Sequence, residues 1–438
     1  MAFAARRCQV VGVTMPESPL SVSITAATLT GNHGFEAMLL AAVGRIRDRV
    51  PGATFNVFSY YPKEDAARVT DPSVRIFSLT RSAVVLRLVP FAALLGLLQR
   101  LGLGFAACVF PADVRALAGS GVLVDLAGVS FMEERRRSLA YNTLTLLPAF
   151  LLGVPVVKGA QAVGPFVTRT NRRLARACLG RCAAVFARGE RSLSFLRGLL
   201  GDAPGVRRAD DLAFLLEARD SLSDGETPEL AHVLETIELR RQGRRAVVGI
   251  CPASVLAEAD PKGYPALMAG LVTRLVTAGD LVVLFPNATR GRFDVGRSNN
   301  DLHVMSQVLD ALHADVRAGV VSVEGDFYAV DIQQVMRTLD MAVVSRFHAM
   351  VKALAAGKPT VVIGWSHKYL EVMEEFGLGR HVLPEAGATL PVVMSLVDEM
   401  REDLPRCRGL IESRLPDVRR LATSQIEFVV DLLGERRP

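Results

Sequence analysis

The chain has 438 residues and a mass of 47.3 kDa, enough for two domains that each bury a core of their own. Half of the residues are hydrophobic and 22% are charged, which excludes a mainly disordered chain and a fibrous repeat. The net charge of +6 suits an anionic ligand and does not require nucleic acid as a partner.

The six cysteines are scattered, with no Cys-x-x-Cys pair and no Cys/His spacing typical of zinc. We therefore expect reduced thiols, no metal centre and a cytoplasmic protein. The first 20 residues contain only a short apolar run at 10–13, which is too short for the hydrophobic region of a signal peptide.

In the first half of the chain, strand-like apolar runs alternate with helical runs. The predicted strands are 21–29, 55–59, 74–79, 122–127, 155–163 and 183–188, and the predicted helices are 35–50, 133–152, 172–181 and 190–200. Strands separated by helices of this length favour a parallel sheet with right-handed crossovers.

An apolar stretch lies between Ser82 and Ala107 and is interrupted by Arg87, Pro90 and Arg100. Its uninterrupted core, 88–98, is shorter than the roughly 20 residues that a membrane-spanning helix requires. Two interpretations therefore remain open. The stretch is a helix buried within or between domains, or it lies on a membrane surface with its arginines near anionic head groups.

A polar segment without strand pattern separates the two halves of the sequence. We predict an N-terminal domain at 1–217, a linker at 218–245 and a C-terminal domain with terminal helices at 246–438. Strands are predicted at 246–251, 281–285, 320–323, 341–345 and 360–364, and helices at 264–278, 301–313, 332–339 and 347–356. The predicted fold is α/β: two doubly wound, Rossmann-like domains face each other across a cleft that binds ligands at the carboxyl ends of the strands.

The segment 31–37 (GNHGFEA) follows the first predicted strand and contains the first candidate site residues. Its two glycines allow a tight turn, and the free N–H groups at the start of the next helix attract anions. Asn32, His33 and Glu36 are therefore candidates for contacting a sugar or a phosphate. The alternative is an ordinary turn between a strand and a helix.

Two arginines stand at the ends of predicted strands. Arg188 ends one strand just before a helix and is expected to face the cleft, and Arg346 ends another. Arg346 stands two residues before His348. This spacing is typical of a site in which the arginine holds a phosphate or carboxylate while the histidine moves a proton. A structural histidine is the alternative.

Six segments in order resemble landmarks of the polysaccharide pyruvyltransferase family, over roughly residues 22–380. They are 31–37 (GNHGFEA), 158–166 (KGAQAVGPF), Arg188 with Ser192, 211–214 (DLAF), 345–349 (SRFHA), and 353–359 followed by Lys368. The chain departs from the family pattern at Phe35-Glu36 and at Ala127-Gly128.

The resemblance implies a fold similar to GT-B glycosyltransferases and the transfer of a pyruvyl group from phosphoenolpyruvate. The acceptor would be two hydroxyls of a sugar in a polysaccharide or lipid-linked precursor, which become a ketal. The implied donor-binding residues are Arg188, Arg346 and Lys368, the implied catalytic residues are His348 and Arg188, and the implied acceptor-binding residues are Asn32, His33, Glu36 and Asp211. No cofactor or metal is implied beside the donor.

Two other functions remain open at this point. A GT-B glycosyltransferase that uses a nucleotide sugar would have the same cleft and the same arginines. A non-enzymatic scaffold that binds a membrane surface or nucleic acid would use the basic segment 169–208, but the chain contains only 6% aromatic residues, and this composition argues against single-stranded nucleic acid.

Overall fold

The computed structural model describes residues 20–133, 139–223, 227–289, 299–364 and 366–435. The first half of the chain forms a parallel sheet in the order β3-β2-β1-β4-β6-β7-β8, with β5 paired to β6. Its strands β1 to β8 are Ser21–Thr25, Thr54–Ser59, Val74–Ser78, Val122–Asp125, Val129–Ser130, Val156–Val163, Ala184–Arg188 and Val206–Ala209.

The second half forms a parallel sheet in the order β11-β10-β9-β12-β13-β14. Its strands β9 to β14 are Val247–Cys251, Leu281–Leu284, Val320–Ser322, Met341–Val344, Thr360–Gly364 and Val382–Pro384. The central strands β9, β10, β12 and β13 are buried along their whole length, as expected where helices cover both faces of a parallel sheet. The predicted α/β class with two doubly wound sheets is confirmed.

Helices connect the strands on both faces of each sheet. In the first half the helical segments are His33–Arg49, Pro62–Ala67, Arg81–Arg100 with a π-helical turn at Val84–Leu88, Gly104–Val109, Ala112–Ala118, Leu139–Leu144, Leu147–Leu152, Arg169–Leu179, Glu190–Leu200, Leu212–Leu215 and Ala218–Asp220. In the second half they are Pro228–Arg241, Ser254–Ala259, Gly263–Thr277, Asp301–Asp310, Ala314–Arg317, Ala329–Thr338, Phe347–Ala355, His367–Glu375, Gly379–His381, Glu385–Gly387, Leu390–Glu402 and Leu404–Gly434.

The first strand ends earlier than the pattern at 21–29 predicts. Ala26 has a φ of 62°, which turns the chain away from the sheet directly after Thr25. The backbone N–H groups of Leu29 and Thr30 then donate to the carboxylate of Asp65 at 3.0 and 2.8 Å, so they are satisfied without a neighbouring strand.

Two helices lie where the predicted domain boundaries do not suggest them. Helix Pro228–Arg241 lies within the polar segment predicted as a linker, and it packs against β10 and β11. The last helix, Leu404–Gly434, packs back against β4, β6 and β8 of the first sheet. Its Gln425 accepts from the backbone of Ala160 at 2.8 Å and donates to the carbonyl of Asp210 at 2.7 Å. The boundaries of the two domains remain a prediction.

The apolar stretch between Ser82 and Ala107 forms a helix with two apolar faces. Val84, Leu88 and Leu95 are buried against the first sheet's helices. Leu86, Leu94, Leu97 and Leu101 point outward and are 49 to 73% exposed. By length and composition alone, Arg81–Arg100 is the one helix among the described residues that is long and apolar enough to cross a membrane.

Candidate functional site

A cleft of about 580 Å³ lies between the carboxyl ends of the two sheets. Five of the residues predicted from the sequence line it: Asn32, Arg188, Arg346, His348 and Lys368. Three others, His33, Glu36 and Asp211, are at most 4% exposed and lie behind its walls. The structure therefore brings the predicted donor-binding and catalytic residues together at one place.

Arg188, Asp211 and His348 form a connected group that crosses from one half of the molecule to the other. Arg188 ends β7 and donates to Asp211 at 2.5 Å and to the carbonyl of Gly128 at 3.0 Å. Nε2 of His348, at the start of helix Phe347–Ala355, lies 3.5 Å from the same carboxylate oxygen of Asp211. This distance is within ion-pair reach, although Nε2 makes no hydrogen bond.

The electrostatics of this group favour a neutral histidine beside a charged aspartate. Burial lowers the pKa of His348, and Arg188 and Lys352 act in the same direction, whereas Asp211 opposes them. Burial alone would raise the pKa of Asp211, but His348 and Arg188 hold it below the usual range of a carboxyl. His348 is thus able to accept a proton at neutral pH, and Asp211 would stabilise the imidazolium that results.

The position of His348 depends on a glycine from the first half of the chain. A Cβ at Gly34 would lie only 2.1 Å from Nδ1 of His348, so only glycine allows helix His33–Arg49 to approach the ring so closely. Asn32 caps this helix, because its side chain accepts from the N–H of Gly34 at 2.8 Å. The segment predicted as an anion site therefore also shapes the contact with the catalytic candidate.

Arg346 lies on the opposite wall and is held by a dense set of acceptors. Its guanidinium bonds both carboxylate oxygens of Asp301, with Nε at 2.9 and 3.1 Å, and also reaches Asn299 and Ser254 at 2.8 Å each. Asp301 in turn accepts from the backbone N–H groups of Ser254, Asn287 and Ala288. Four of the five N–H donors of Arg346 are therefore engaged within the described residues.

Two cations of the cleft lie against the ring of Phe347. The guanidinium of Arg188 lies 4.3 Å and the ammonium of Lys368 5.0 Å from the centre of this ring. Cations at such distances from an aromatic face are attracted by its quadrupole. Phe347, which sequence reasoning treated only as part of a motif, thus lies against two of the three predicted donor-binding cations.

His33 and Glu36 contact each other and the second half of the molecule. Nδ1 of His33 lies 2.9 Å from Glu36, and its backbone N–H donates to the carbonyl of Asn287. Burial raises the pKa of Glu36 to about 7, while it lowers the pKa of Lys352, which bonds the side chain of Asn287, to about 8. Glu36 is fully buried, so its predicted contact with an acceptor remains a prediction without geometric support.

Sequence reasoning missed a third charged pair in the cleft, Lys158 with Asp125. Lys158 lies inside β6, is 1% exposed, and donates to Asp125 at the end of β4 at 3.0 Å. The signal was visible in the sequence, because Lys158 is the single charged residue of the strand VVKGAQAV. Asp301 was missed in the same way, since it was assigned only to a helix.

The described residues contain no group of three His, Cys, Asp or Glu side chains arranged as a metal site requires. The cations and acids of the cleft instead form pairs: Arg188 with Asp211, Arg346 with Asp301, and Lys158 with Asp125. Each pair holds its cation in place by charge-assisted hydrogen bonds. The expectation of a protein without metal or cofactor remains a prediction.

Residues 32–367 match the family described as polysaccharide pyruvyl transferase. The fold is similar to UDP-GlcNAc 2-epimerase from Neisseria meningitidis bound to UDP-GlcNAc, at 11% identity and a TM-score of 0.57 over 95% of this chain and 100% of that chain. It is also similar to α,α-trehalose 6-phosphate synthase from Burkholderia multivorans, at 10% identity and a TM-score of 0.53 over 95% and 99% of the two chains. Such likenesses concern the fold alone, and they confirm the predicted GT-B-like arrangement.

Proposed function

The chain belongs to the polysaccharide pyruvyl transferase family, and on this premise we propose that it transfers a pyruvyl group from phosphoenolpyruvate to two hydroxyls of a sugar. The sugar would be part of a polysaccharide or of its lipid-linked precursor. The observation that carries the proposal is that Arg188 and His348, which both approach the buried Asp211, line one cleft with two further cations, Arg346 and Lys368.

The donor brings a phosphate and a carboxylate, and both need fixed N–H donors. Arg188 uses two of its five donors within the described residues, so three remain for a ligand. Lys368 lines the same cleft beside the ring of Phe347, and Arg346 offers its last N–H from the opposite wall. We therefore propose that Arg188 and Lys368 make most of the hydrogen bonds to the donor and that Arg346 adds one more.

The reaction needs a group that moves protons. Two C–O bonds form at C2 of the enolpyruvyl group and one C–H bond forms at C3, while the C2=C3 π bond and the bond from C2 to the phosphate oxygen break. The sugar loses two hydroxyl protons, and C3 and the departing phosphate together take up two. No oxidant, metal or cofactor is needed for this balance.

His348 is the residue that we assign to proton transfer. Its lowered pKa leaves the imidazole neutral at pH 7, ready to take the proton of an attacking hydroxyl. Asp211 lies 3.5 Å away and would stabilise the imidazolium until the proton passes to C3 or to the phosphate. The guanidinium of Arg188, bonded to the same carboxylate, would hold the donor next to this histidine.

Thermal unfolding with added ligands tests the proposed donor. A ligand that binds only the folded protein raises its melting temperature, by an amount that grows with concentration. Phosphoenolpyruvate should stabilise the protein, and phosphate should be released when a sugar acceptor is added. Stabilisation by uridine or guanosine diphosphate without any effect of phosphoenolpyruvate would favour a nucleotide-sugar glycosyltransferase instead.

We also propose that helix Arg81–Arg100 rests on the surface of an anionic membrane, where a lipid-linked acceptor would be presented. Of the twelve large hydrophobic residues that are exposed within the described ranges, eight lie between Val85 and Val109. From residue 79 to 132 the only acids are Asp113 and Asp125, which are 4% and 2% exposed. An apolar face bordered by arginines and free of exposed acids suits anionic head groups.

Co-flotation with vesicles of phosphatidylglycerol and phosphatidylcholine tests this surface. Replacing Leu94 and Leu97 with Glu should abolish binding, because both side chains are exposed and the added charge opposes insertion. The matched control replaces Leu239 and Val392 with Glu. Both are exposed outside this helix, so the control should bind the vesicles as the parent does. Equal binding by both double variants, or none by the parent, would contradict the proposal.

A further inference from the structure

The Lys158–Asp125 pair forms the floor of the part of the cleft that belongs to the first sheet. Lys158 makes one hydrogen bond within the described residues, to Oδ2 of Asp125, although an ammonium has three N–H donors. The pairing register between β6 and β7 shifts directly after Lys158. A buried ammonium is costly unless its donors are satisfied. Lys158 lines the cleft and has two donors without a hydrogen bond among the described residues, which suits a ligand or ordered water.

The surroundings of the pair combine polar groups with aromatic faces. Tyr60 and Tyr141 line the cavity with their ring centres 5.9 Å apart, and Asn142 and Phe131 lie beside them. The hydroxyl of Tyr141 donates to the carbonyl of Leu79, whereas that of Tyr60 has no hydrogen-bond partner within the described residues. Donors, acceptors and flat apolar faces thus meet in one pocket.

The balance of charge favours a neutral ligand in this pocket. Asp125 already offsets the charge of Lys158, so an anion would gain little from the pair and would be repelled by the carboxylate. Two neighbouring hydroxyls suit the pair better, because one can donate to the carboxylate while the other accepts from the ammonium. The C–H face of a pyranose ring can lie against an aromatic side chain.

We infer that this pocket binds a pyranose unit of the acceptor, with two of its hydroxyls on Asp125 and Lys158. The inference rests on the proposed pyruvyl transfer and extends it, because it places the acceptor on β6 and at the end of β4 and not only at the segment 31–37. Asn32, Arg188 and His348 line the same cleft as the Lys158–Asp125 pair. The acceptor hydroxyls would thus enter the cleft that also contains the proton-transfer group.

Saturation-transfer NMR with methyl β-glucopyranoside and methyl β-galactopyranoside tests the inference without any turnover. The parent protein should give a signal from at least one of the two glycosides. The double variant Asp125→Asn/Lys158→Met removes both charges together and so avoids leaving one of them buried and unpaired. It should weaken binding about fivefold to tenfold, as expected for the loss of one or two hydrogen bonds.

Two further variants guard against indirect effects. Lys358→Met removes another lysine, which is partly buried and lies outside the lining of the cleft, and should leave glycoside binding unchanged. Tyr60→Phe removes one hydroxyl from the lining of the cavity and should weaken glycoside binding about threefold. This variant tests the pocket independently if the double variant fails to fold. Binding that is insensitive to both pocket variants, or absent in the parent, would overturn the inference.

Phosphoenolpyruvate separates this inference from the proposed function. If it raises the melting temperature of parent and double variant equally while glycoside binding is lost, both proposals are supported. If only the double variant loses the response to phosphoenolpyruvate and keeps glycoside binding, the pocket belongs to the donor and the inference is wrong. If the parent does not respond to phosphoenolpyruvate, the proposed function itself fails.

Discussion

Arg188 and Arg346 both lie at the carboxyl end of a buried strand, one in each half of the molecule, but their hydrogen bonds differ. Arg188 is the last residue of β7, Arg346 lies two residues after β12, and each is paired with a buried aspartate. Arg188 has two of its N–H donors engaged within the described residues, whereas Arg346 has four. Position at the end of a strand therefore does not show how many N–H donors an arginine keeps for a ligand.

The aspartate partners explain this difference. Asp301 also accepts from three backbone N–H groups of two loops, so the pair with Arg346 fixes the end of the second sheet. Asp211 accepts from one backbone N–H, that of Ala213, and otherwise faces Arg188 and His348. We infer that the second sheet contributes a rigid wall and the first sheet the adaptable donors.

The largest effect on turnover is expected for His348, which belongs to the second half of the molecule and lies beside Asp211 of the first half. His348→Ala should lower turnover by about 10²–10⁴, the usual contribution of a positioned acid or base, with the fold intact. Phosphate release from phosphoenolpyruvate with a sugar acceptor measures it. His303→Ala, at an exposed position, is the control. A folded His348 variant with normal turnover would remove this histidine from the mechanism.

Breaking the pair of Arg346 and Asp301 should lower the stability of the protein. Asp301→Asn leaves the buried Arg346 without its counter-charge, so the free energy of unfolding should fall by about 3–5 kcal/mol. Urea denaturation of this variant and of Asp310→Asn, which alters the exposed end of the same helix, provides the measurement. Equal midpoints for the two variants would show that the pair is not a structural anchor.

The contact between the two halves at Glu36 should make stability depend on pH. Its pKa rises from an ordinary 4.5 to about 7, so the folded protein keeps a proton that the unfolded chain releases. This stabilising contribution is complete below pH 4.5 and is lost as the pH rises through 7. Glu36→Gln should remove about 2–3 kcal/mol of this pH dependence, measured as the difference in unfolding free energy between pH 5 and pH 8.

The exposed Glu64→Gln is the matched control for that experiment and should leave the pH dependence of the parent unchanged. If Glu36→Gln follows the same pH curve as this control, the carboxyl of Glu36 titrates normally. The buried contact with His33 would then have to be solvated in solution.

The smallest effects are expected when each of the two arginines, Arg188 and Arg346, is replaced by lysine. Arg188→Lys replaces a forked donor by a point charge and should weaken phosphoenolpyruvate binding about tenfold, with little change in melting temperature. Arg346→Lys should mainly lower the melting temperature and change donor affinity less. Calorimetric titration of both variants separates the two roles, and a reversed order of the two effects would reverse the assignment.

The sequence predicted the central strands of the second sheet well because these strands are apolar runs bounded by polar turns, whereas the short strands β5, β8 and β14 were missed. β9, β10, β12 and β13 all lie within one residue of the predicted bounds, since burial on both faces leaves a continuous hydrophobic signal. Helix Pro228–Arg241 was missed because its polar composition resembles a linker. Local composition does not show that a segment packs against distant strands.

The candidate site was predictable in part. Strand-end arginines and a histidine at a helix start identified the cleft, because the fold brings these places together. The partners of these residues were not predictable, since Asp211 and Asp301 meet their arginines only across 23 and 45 residues of chain. Nor does the pattern of the apolar helix distinguish Leu94, which is 49% exposed, from Leu95, which is fully buried.

The return of the last helix to the first sheet has a consequence for synthesis on the ribosome. Gln425 satisfies the backbone N–H of Ala160 within β6 and the carbonyl of Asp210, and Leu433 packs against Gly121 just before β4. The first half of the chain emerges long before these residues, so we expect it to wait in an incomplete state until residues 404–434 are made. Stalled chains that end at residue 403 should therefore remain more sensitive to protease in the first half than full-length chains.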